Sequence, residues 1–376
     1  MNCRLYLYIL FFINSTSAFA SVCLNMIVKD EAPVILRSLA SVKPIIDYWV
    51  IVDTGSSDGT QNLIREFMKD IPGELHERDW VNFEHNRNQA LELTKGKGDY
   101  VLFIDADEVL SFSDEFELPL LDQDCYYIPI KFNSTSYTRL MLINNMLDWK
   151  WEGVLHEYIT CIKANRCATL AGVTNIVYTD GHRSTDPYKY KKDAELLENA
   201  LIDDPENARY RFYLAQSYKD NQNYAKALQN YKARISLKGW QEEVFWSMLQ
   251  ASLMQEFLEY PTSIVIDSYY KTYLYRSNRA EPLYRIAALH RKNTEYRAGY
   301  EIAYKGLLLD KPSDILFVED WIYDWGLLLE FSICAYWIEE YNEALFSSLL
   351  LLKNINLPDS VRECVETNLY WIRLKL

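Results

Sequence analysis

The chain has 376 residues, 49% of them hydrophobic, and carries 53 acidic against 39 basic side chains for a formal net charge of −14. That length predicts two or three domains, and that composition excludes a largely disordered chain. The acidic balance, with no run of lysine or arginine, argues against nucleic acid or an anionic membrane surface as the main partner.

The first segment, "MNCRLYLYILFFINSTSAFAS", places Arg4 ahead of an apolar core from Leu5 to Ile13 and ends in small residues around Ala18-Phe19-Ala20. It reads as a secretory signal peptide over residues 1–20, too short in its apolar run to span a bilayer. The expected location is the secretory lumen or outside the cell, and the cytoplasm if the segment is not a signal. Of the seven cysteines, Cys3 leaves with the signal. Cys161 and Cys167 are close enough in sequence for a small disulfide loop, but spacing leaves the connectivity open. There is no zinc-ligand pattern.

From Ser21 to about Tyr178 short apolar runs alternate with helical stretches: "SVCLNMIV", a helix through "APVILRSLASV", "DYWVIVDTG", then "TQNLIREFMKD". This alternation predicts an α/β layer with a mostly parallel sheet, whose ligands sit at the carboxyl ends of the strands. Acids stand at those ends. Asp30 and Glu31 follow the first strand, with Pro33 early in the next helix; Asp53 ends the second, and Asp58 lies in the turn before its helix. "GDYVLFIDADEVL" then runs a buried strand into Asp105, Asp107 and Glu108. Residues i and i+2 of a strand share a face, so Asp105 and Asp107 point together and repel unless a cation intervenes. An oxygen-loving divalent ion, Mg²⁺ or Mn²⁺ with a substrate phosphate, suits such a pair.

After "DPYKYKKDAELLENAL" the strands vanish and the text is helical to the end. "RFYLAQSYKDNQNYAKALQNYKARISLKG" places Leu214, Ala215, Tyr218, Tyr224, Ala227 and Tyr231 at the spacing of a tetratricopeptide helix pair, and "LLLEFSICAYWIEEYNEALFSSLLLLKNINLP" repeats it, ending in Pro358. The segment around "EPLYRIAALHRKNTEYRAGYEIAYKGLLLDKP" matches less fully, and the stretch between Glu242 and Ser277 poorly. The expected division is a signal at 1–20, an α/β domain at 21–190 and an all-α tetratricopeptide-like repeat domain at 191–376.

The stretches "NMIVKDEAPVILRSLASVKPIIDYWVIVDTGSSDGTQNLI" and "NFEHNRNQALELTKGKGDYVLFIDADE" resemble the nucleotide-sugar domain of the family 2 glycosyltransferases, of GT-A fold, in order, motif and spacing. The resemblance implies that Asp53 receives a uridine, that Asp30, Glu31 and Asp58 support the same pocket, and that Arg87 approaches the base or phosphates. It also implies that the D-x-D acids Asp105 and Asp107 hold a divalent metal, Mn²⁺ or Mg²⁺, on the diphosphate.

Glycosyl transfer expels a nucleoside diphosphate, whose developing charge needs electrophilic help, and the acceptor hydroxyl needs a base. "DWKWEGVLHEYIT" offers Glu152, His156 and Glu157, with Glu157 the first choice for base and His156 also a catalytic candidate; Trp149 and Trp151 are either buried or an acceptor platform. His182, after the strand-like "GVTNIVYTD", is a candidate third metal ligand, since several GT-A enzymes complete their metal site with a late histidine. The usual acid motif for the base is not plainly present, and the acceptor half, residues 109 to 185, is short. The expected function is metal-dependent, inverting transfer from a UDP-sugar to a hydroxyl of a glycan, lipid or protein acceptor, with the repeats as a surface for a protein partner. The competing expectation is a repeat-based binding module carrying a relic transferase domain. A nucleotidyltransferase is disfavoured by the missing glycine- and lysine-rich phosphate loop.

Overall fold

The computed structural model describes residues 20–132 and 135–376. The expected signal peptide therefore lies, apart from Ala20, outside the described residues. Among the described residues no helix is long and apolar enough to cross a membrane.

The first half alternates strand and helix as far as the acid motif: β1 (Val22–Val28), α1 (Ile35–Val42), β2 (Tyr48–Asp53), α2 (Thr60–Phe67), β3 (Gly73–Glu77), α3 (Phe83–Glu92) and β4 (Tyr100–Phe103). Strands then dominate: β5 (Glu108–Phe112), β6 (Cys125–Phe132), β7 (Thr135–Asn144), β8 (Lys150–Glu152), β9 (Tyr158–Thr160), β10 (Cys167–Thr169) and β11 (Val173–Val177). The main sheet runs β3-β2-β1-β4-β7-β6-β11-β5, with β10 added beside β6. Its first four strands are parallel, whereas β7 is antiparallel to both β4 and β6, and β11 is parallel to β6 and antiparallel to β5. The expected parallel layer is thus one half of a mixed sheet. β1 is central because every position of "VCLNMIV" but one is buried, which a strand covered on both faces requires. Helix α1 buries Ile35, Ser38, Leu39 and Val42, one stripe at i, i+3, i+4 and i+7. Pro33 lies in the turn ahead of that helix rather than within it.

β6 and β10 lie side by side with Cys125 opposite Cys167, and these two form a disulfide. Cys167 therefore does not pair with Cys161, which is free together with Cys23, Cys334 and Cys364. The six-residue spacing suggested a local loop, but sheet pairing brings a residue 42 positions away closer.

The second half is a stack of helices: α4 (Lys189–Asp203), α5 (Ala208–Asp220), α6 (Tyr224–Ser236), α7 (Gln241–Phe257), α8 (Thr262–Tyr275), α9 (Glu281–Lys292) and α10 (Tyr296–Leu307). After a long connection follow α11 (Leu327–Trp337), α12 (Tyr341–Leu352) and α13 (Asp359–Arg373). The repeat is written in the turns. Gln222, Glu259, Thr294 and Glu339 have φ of +58, +55, +62 and +69°, each just after the first helix of a pair. In each case the next residue donates its N–H to the carbonyl five positions back: Asn223 to Tyr218, Tyr260 to Gln255, Glu295 to His290 and Glu340 to Ala335. This closure ends a helix and sets the angle of its successor. The poorly matching stretch around Glu242–Ser277 is therefore a helix pair like the others, its packing carried by Phe245, Leu249, Val265 and Tyr269 in place of the usual signature.

The helical half also contains a strand. In the connection after α10, β12 (Val318–Glu319) pairs antiparallel with β7, Val318 opposite Ser136. This strap crosses the first helices of successive pairs. Phe317 packs on Trp246 and lies 5.8 Å from the Tyr137 ring, while Glu242 accepts the N–H groups of Ile315 and Leu316 at 2.9 and 2.8 Å. Arg279, with none of its surface exposed, bonds Glu281, Asp314 and the Phe317 carbonyl. Two residues are too short to read as a strand in the sequence.

Candidate active site

The cleft opens at the carboxyl ends of β1, β2 and β4. Asp53 is 1% exposed and one of its oxygens accepts the N–H groups of Gly55 and Ser56 at 3.0 and 2.9 Å and the Gln61 amide at 3.1 Å. Its other oxygen, Oδ2, is buried with no partner. A buried acceptor left open is costly, so this one invites a donor from a ligand. Asp30, at φ +54°, binds the Ser57 N–H at 2.7 Å, and Asp58 takes the Ala32 N–H at 2.9 Å and the Thr60 hydroxyl at 2.6 Å. These acids tie the β1–α1 and β2–α2 loops together, and Gly59 at φ +95° gives the second loop its turn. Asp30 and Asp58 thus act on the pocket through its backbone.

Beyond β4 the D-x-D acids part company. Asp105 accepts from Arg87 at 2.7 Å and lies 3.8 Å from Arg139; burial works against its ionisation, but Arg87 and then Arg139 outweigh it and hold the carboxyl below its usual value. Arg87 also donates through Nε to Glu157, so one guanidinium joins the expected base to the first acid of the motif. Arg139 in turn bonds Glu108 at 2.5 Å. Asp107 makes no ion pair among the described residues, and burial, followed by the charges of Asp105 and Glu108, pushes its carboxyl up to about 6. Glu31 is pushed up to about 7 by burial, with the charges of Asp107, Asp105 and Asp58 adding to it and the His182 N–H, donated at 3.2 Å, opposing it.

The segment after β11 covers Asp107. Tyr178 donates its N–H to the Asp107 carbonyl at 3.0 Å, and Gly181 lies so close that a Cβ there would meet Asp107 Oδ2 at 3.0 Å. His182 follows directly, exposed. Among the described residues no three His, Cys, Asp or Glu side chains are arranged to hold a metal. Asp105, Asp107 and His182 therefore do not form the expected three-ligand cluster: Asp105 is engaged by arginine, and the His182 contact to the acids runs through its backbone. Asp107, an acid crowded by other acids and lacking a cation, does fit a divalent ion whose remaining ligands are water and phosphate, the usual manner of Mg²⁺.

β8 and β9 form a hairpin in and beside which the other candidates lie, with His156 and Glu157 at its tip. Trp151 is 7% exposed, edge-on to Phe103 and 5.0 Å from the Arg87 guanidinium, so it is a wall under Arg87 and not an acceptor platform. Trp149 is also part-buried, its indole N–H on the Asn144 carbonyl. Glu152 accepts from the Tyr158 hydroxyl at 3.0 Å at the surface. His156, at φ +52°, stacks on Tyr213 of α5 with centroids 3.9 Å apart, and its carbonyl accepts two bonds from Arg209. Desolvation by the surrounding chain, then the charges of Arg183, Arg209 and Lys189, hold its imidazole below the usual value, although part of the residue stays exposed. The helical half thus walls the cleft through α5. Arg139, Arg183, Lys189, Arg209 and Tyr213 escaped the sequence reading; of these, Arg139 alone left a signal, a lone arginine in the apolar "RLMLI" of β7.

With this geometry in view, residues 23–118 match the family described as glycosyl transferase family 2. That segment, residues 23–118, is a family 2 glycosyl transferase domain. The chain is 36% identical over 152 residues to a TPR repeat-containing protein of Synechococcus elongatus, covering 38% of this chain and 36% of the relative. It is 25% identical over 232 residues to the glycosyltransferase SunS of Bacillus subtilis, covering 55% and 53%, and 24% identical over 237 residues to an uncharacterized glycosyltransferase of Rickettsia felis, covering 59% and 77%. It thus spans about a third to a half of the length of the first two. Among solved structures, a tetratricopeptide repeat protein of Parabacteroides merdae aligns with 50% of this chain and 69% of its own at 16% identity and TM-score 0.39.

Proposed function

We propose that the chain transfers a glycosyl group from a UDP-sugar to an acceptor hydroxyl with inversion at the anomeric carbon. The observation that carries the reading is the convergence of Asp53, with its open buried oxygen, Asp105, Arg87 and the cation-deficient Asp107 at one edge of a family 2 domain. Asp53 Oδ2 accepts the uracil N–H, and Asp105 and Arg87 meet the ribose and diphosphate. A divalent ion at Asp107, when bound, supplies electrophilic help to the leaving diphosphate. The acceptor oxygen attacks the anomeric carbon, the bond from that carbon to the diphosphate oxygen breaks with its electron pair leaving on UDP, and the acceptor proton passes to Glu157. Arg87 occupies Glu157 Oε1 alone, and among the described residues nothing bonds Oε2, which is left to face the hydroxyl. The Cys125–Cys167 disulfide supports action in the oxidising secretory lumen. A panel of nucleotide sugars, assayed for release of the nucleoside diphosphate with and without Mn²⁺, tests the reading: UDP release that needs the ion supports it, and release from no donor defeats it.

A further inference from the structure

The loop between β8 and β9 runs from Gly153 to Glu157 and reverses through two positive φ angles, +111° at Gly153 and +52° at His156. Glycine takes the first freely. A histidine is strained at the second, and such strain persists only where the surroundings over-determine it. Here the surroundings are the helical half. Leu155, 2% exposed, is buried in the apolar cluster of Ala194, Leu197, Leu214 and Tyr218, on α4 and α5. The Val154 N–H is donated to the Tyr210 hydroxyl at 3.3 Å. Arg209 donates through Nε and Nη2 to the His156 carbonyl at 3.0 and 2.7 Å, and its guanidinium lies 4.8 and 5.0 Å over the rings of Tyr158 and Tyr213. Tyr213 in turn stacks on the His156 ring at 3.9 Å. The other end of the hairpin is fixed to α3, where Asn88 exchanges two bonds with the Trp151 backbone at 2.8 and 2.9 Å and the neighbouring Arg87 reaches Glu157.

The carbonyl that Arg209 holds belongs to the peptide unit joining His156 to Glu157. That unit is planar, so a planar fork fixing its oxygen also fixes the direction in which the Glu157 Cα leaves it. Resting on the assignment of Glu157 as the base, we propose that Arg209 and Tyr213 of α5 are positioning residues for the transfer reaction. They hold the His156–Glu157 peptide and so aim the Glu157 carboxylate at the acceptor, which makes the helical half a working part of the active site.

The test follows UDP release, with water as acceptor, from whichever UDP-sugar the donor panel identifies. It compares the full chain with Arg209→Gln, Tyr213→Leu, Tyr213→Phe, Glu157→Gln and the double variant Arg209→Gln/Glu157→Gln, each assayed well below its melting temperature and titrated with UDP in Mn²⁺. Misplacing a reacting group by about 1 Å costs about 10² in rate. Arg209→Gln and Tyr213→Leu therefore slow release by roughly that factor with UDP affinity unchanged, and Tyr213→Phe, which keeps the stacked plane, retains most of the rate. Because the arginine acts through the base, the double variant is no slower than Glu157→Gln alone. Parent-rate release by Arg209→Gln and Tyr213→Leu beside a slow Glu157→Gln overturns the positioning role and leaves the base assignment standing. A double variant in which the two losses multiply overturns it as well, as does a fall in rate matched by a fall in UDP affinity. Parent-rate release by Glu157→Gln overturns the base assignment, and the proposal with it.

Discussion

Replacing Arg279 with leucine removes the side chain that anchors the strap. The side chain is 0% exposed and bonds Glu281 at 2.6 and 3.0 Å, Asp314 at 2.8 Å and the Phe317 carbonyl at 2.9 Å. Asp314 keeps a second arginine, Arg276 at 2.5 Å, whereas Glu281 is left fully buried with the Tyr323 hydroxyl and a long bond from the Glu319 N–H. Breaking one side of a buried pair costs about 3–5 kcal/mol, mostly the penalty of the charge left behind. Against a total of about 5–15 kcal/mol this is a large share, and at roughly 2–4 °C per kcal/mol it lowers the melting temperature by about 10 °C. Thermal melting followed by tryptophan fluorescence, with Trp246 packed on Phe317, reads the change. The double variant Arg279→Leu/Glu281→Leu removes the orphaned charge and recovers most of the loss. A single variant that melts within about 2 °C of the parent, or a double variant as unstable as the single, refutes the reasoning.

Glu157→Gln retains UDP binding but slows transfer by about 10² to 10⁴, the usual loss for a general base, and parent-rate transfer places the base elsewhere. Arg87→Lys, which cannot join Asp105 and Glu157 with one planar fork, lowers both UDP affinity and turnover; an unchanged dissociation constant for UDP in titration excludes the contact. Reducing or substituting the Cys125–Cys167 pair destabilises the sheet by about 2–5 kcal/mol in denaturant unfolding, and thiol counting without reductant finds both cysteines blocked. Glu74 is held down at about 2 by Lys97, then Tyr48 and His76, so its contribution is present above the ordinary carboxylate pKa and lost as pH falls towards 2. With 32% of its side chain exposed, it is worth no more than about 1 kcal/mol, and the melting difference between the parent and Glu74→Gln narrows as pH falls below the ordinary carboxylate pKa and closes near pH 2.

Where residue type and position alone carry a role, the sequence spoke plainly. Asp53 ends β2, Asp105 and Asp107 lie in the turn just beyond β4, and parallel strands bring their carboxyl ends to one edge whatever the details of packing. β1, β2 and β4 were equally legible, because a run buried on both faces has to be apolar. β3, "GELHE", was not: it is an edge strand, and edges carry charges that hide the strand pattern. The ion pairs of the cleft were illegible for another reason. Arg87, Asp105, Glu157 and Arg139 are 18 to 70 positions apart, and their meeting depends on how β7 and the β8–β9 hairpin fold back. The contribution of α5, through Tyr213 and Arg209, depends on docking between halves that the strap fixes, and two strand residues leave no periodic trace.

The central claim is that Asp107 works with a divalent ion to hold a nucleoside diphosphate. Titration of UDP into the full chain and into Asp107→Asn, each with Mn²⁺ and with excess chelator, tests it most directly. The account predicts that UDP binds the parent tightly with Mn²⁺ and at least about tenfold more weakly in chelator, and that Asp107→Asn binds weakly in both. Equal affinity of the parent in Mn²⁺ and chelator, or full Mn²⁺ dependence in Asp107→Asn, would contradict it.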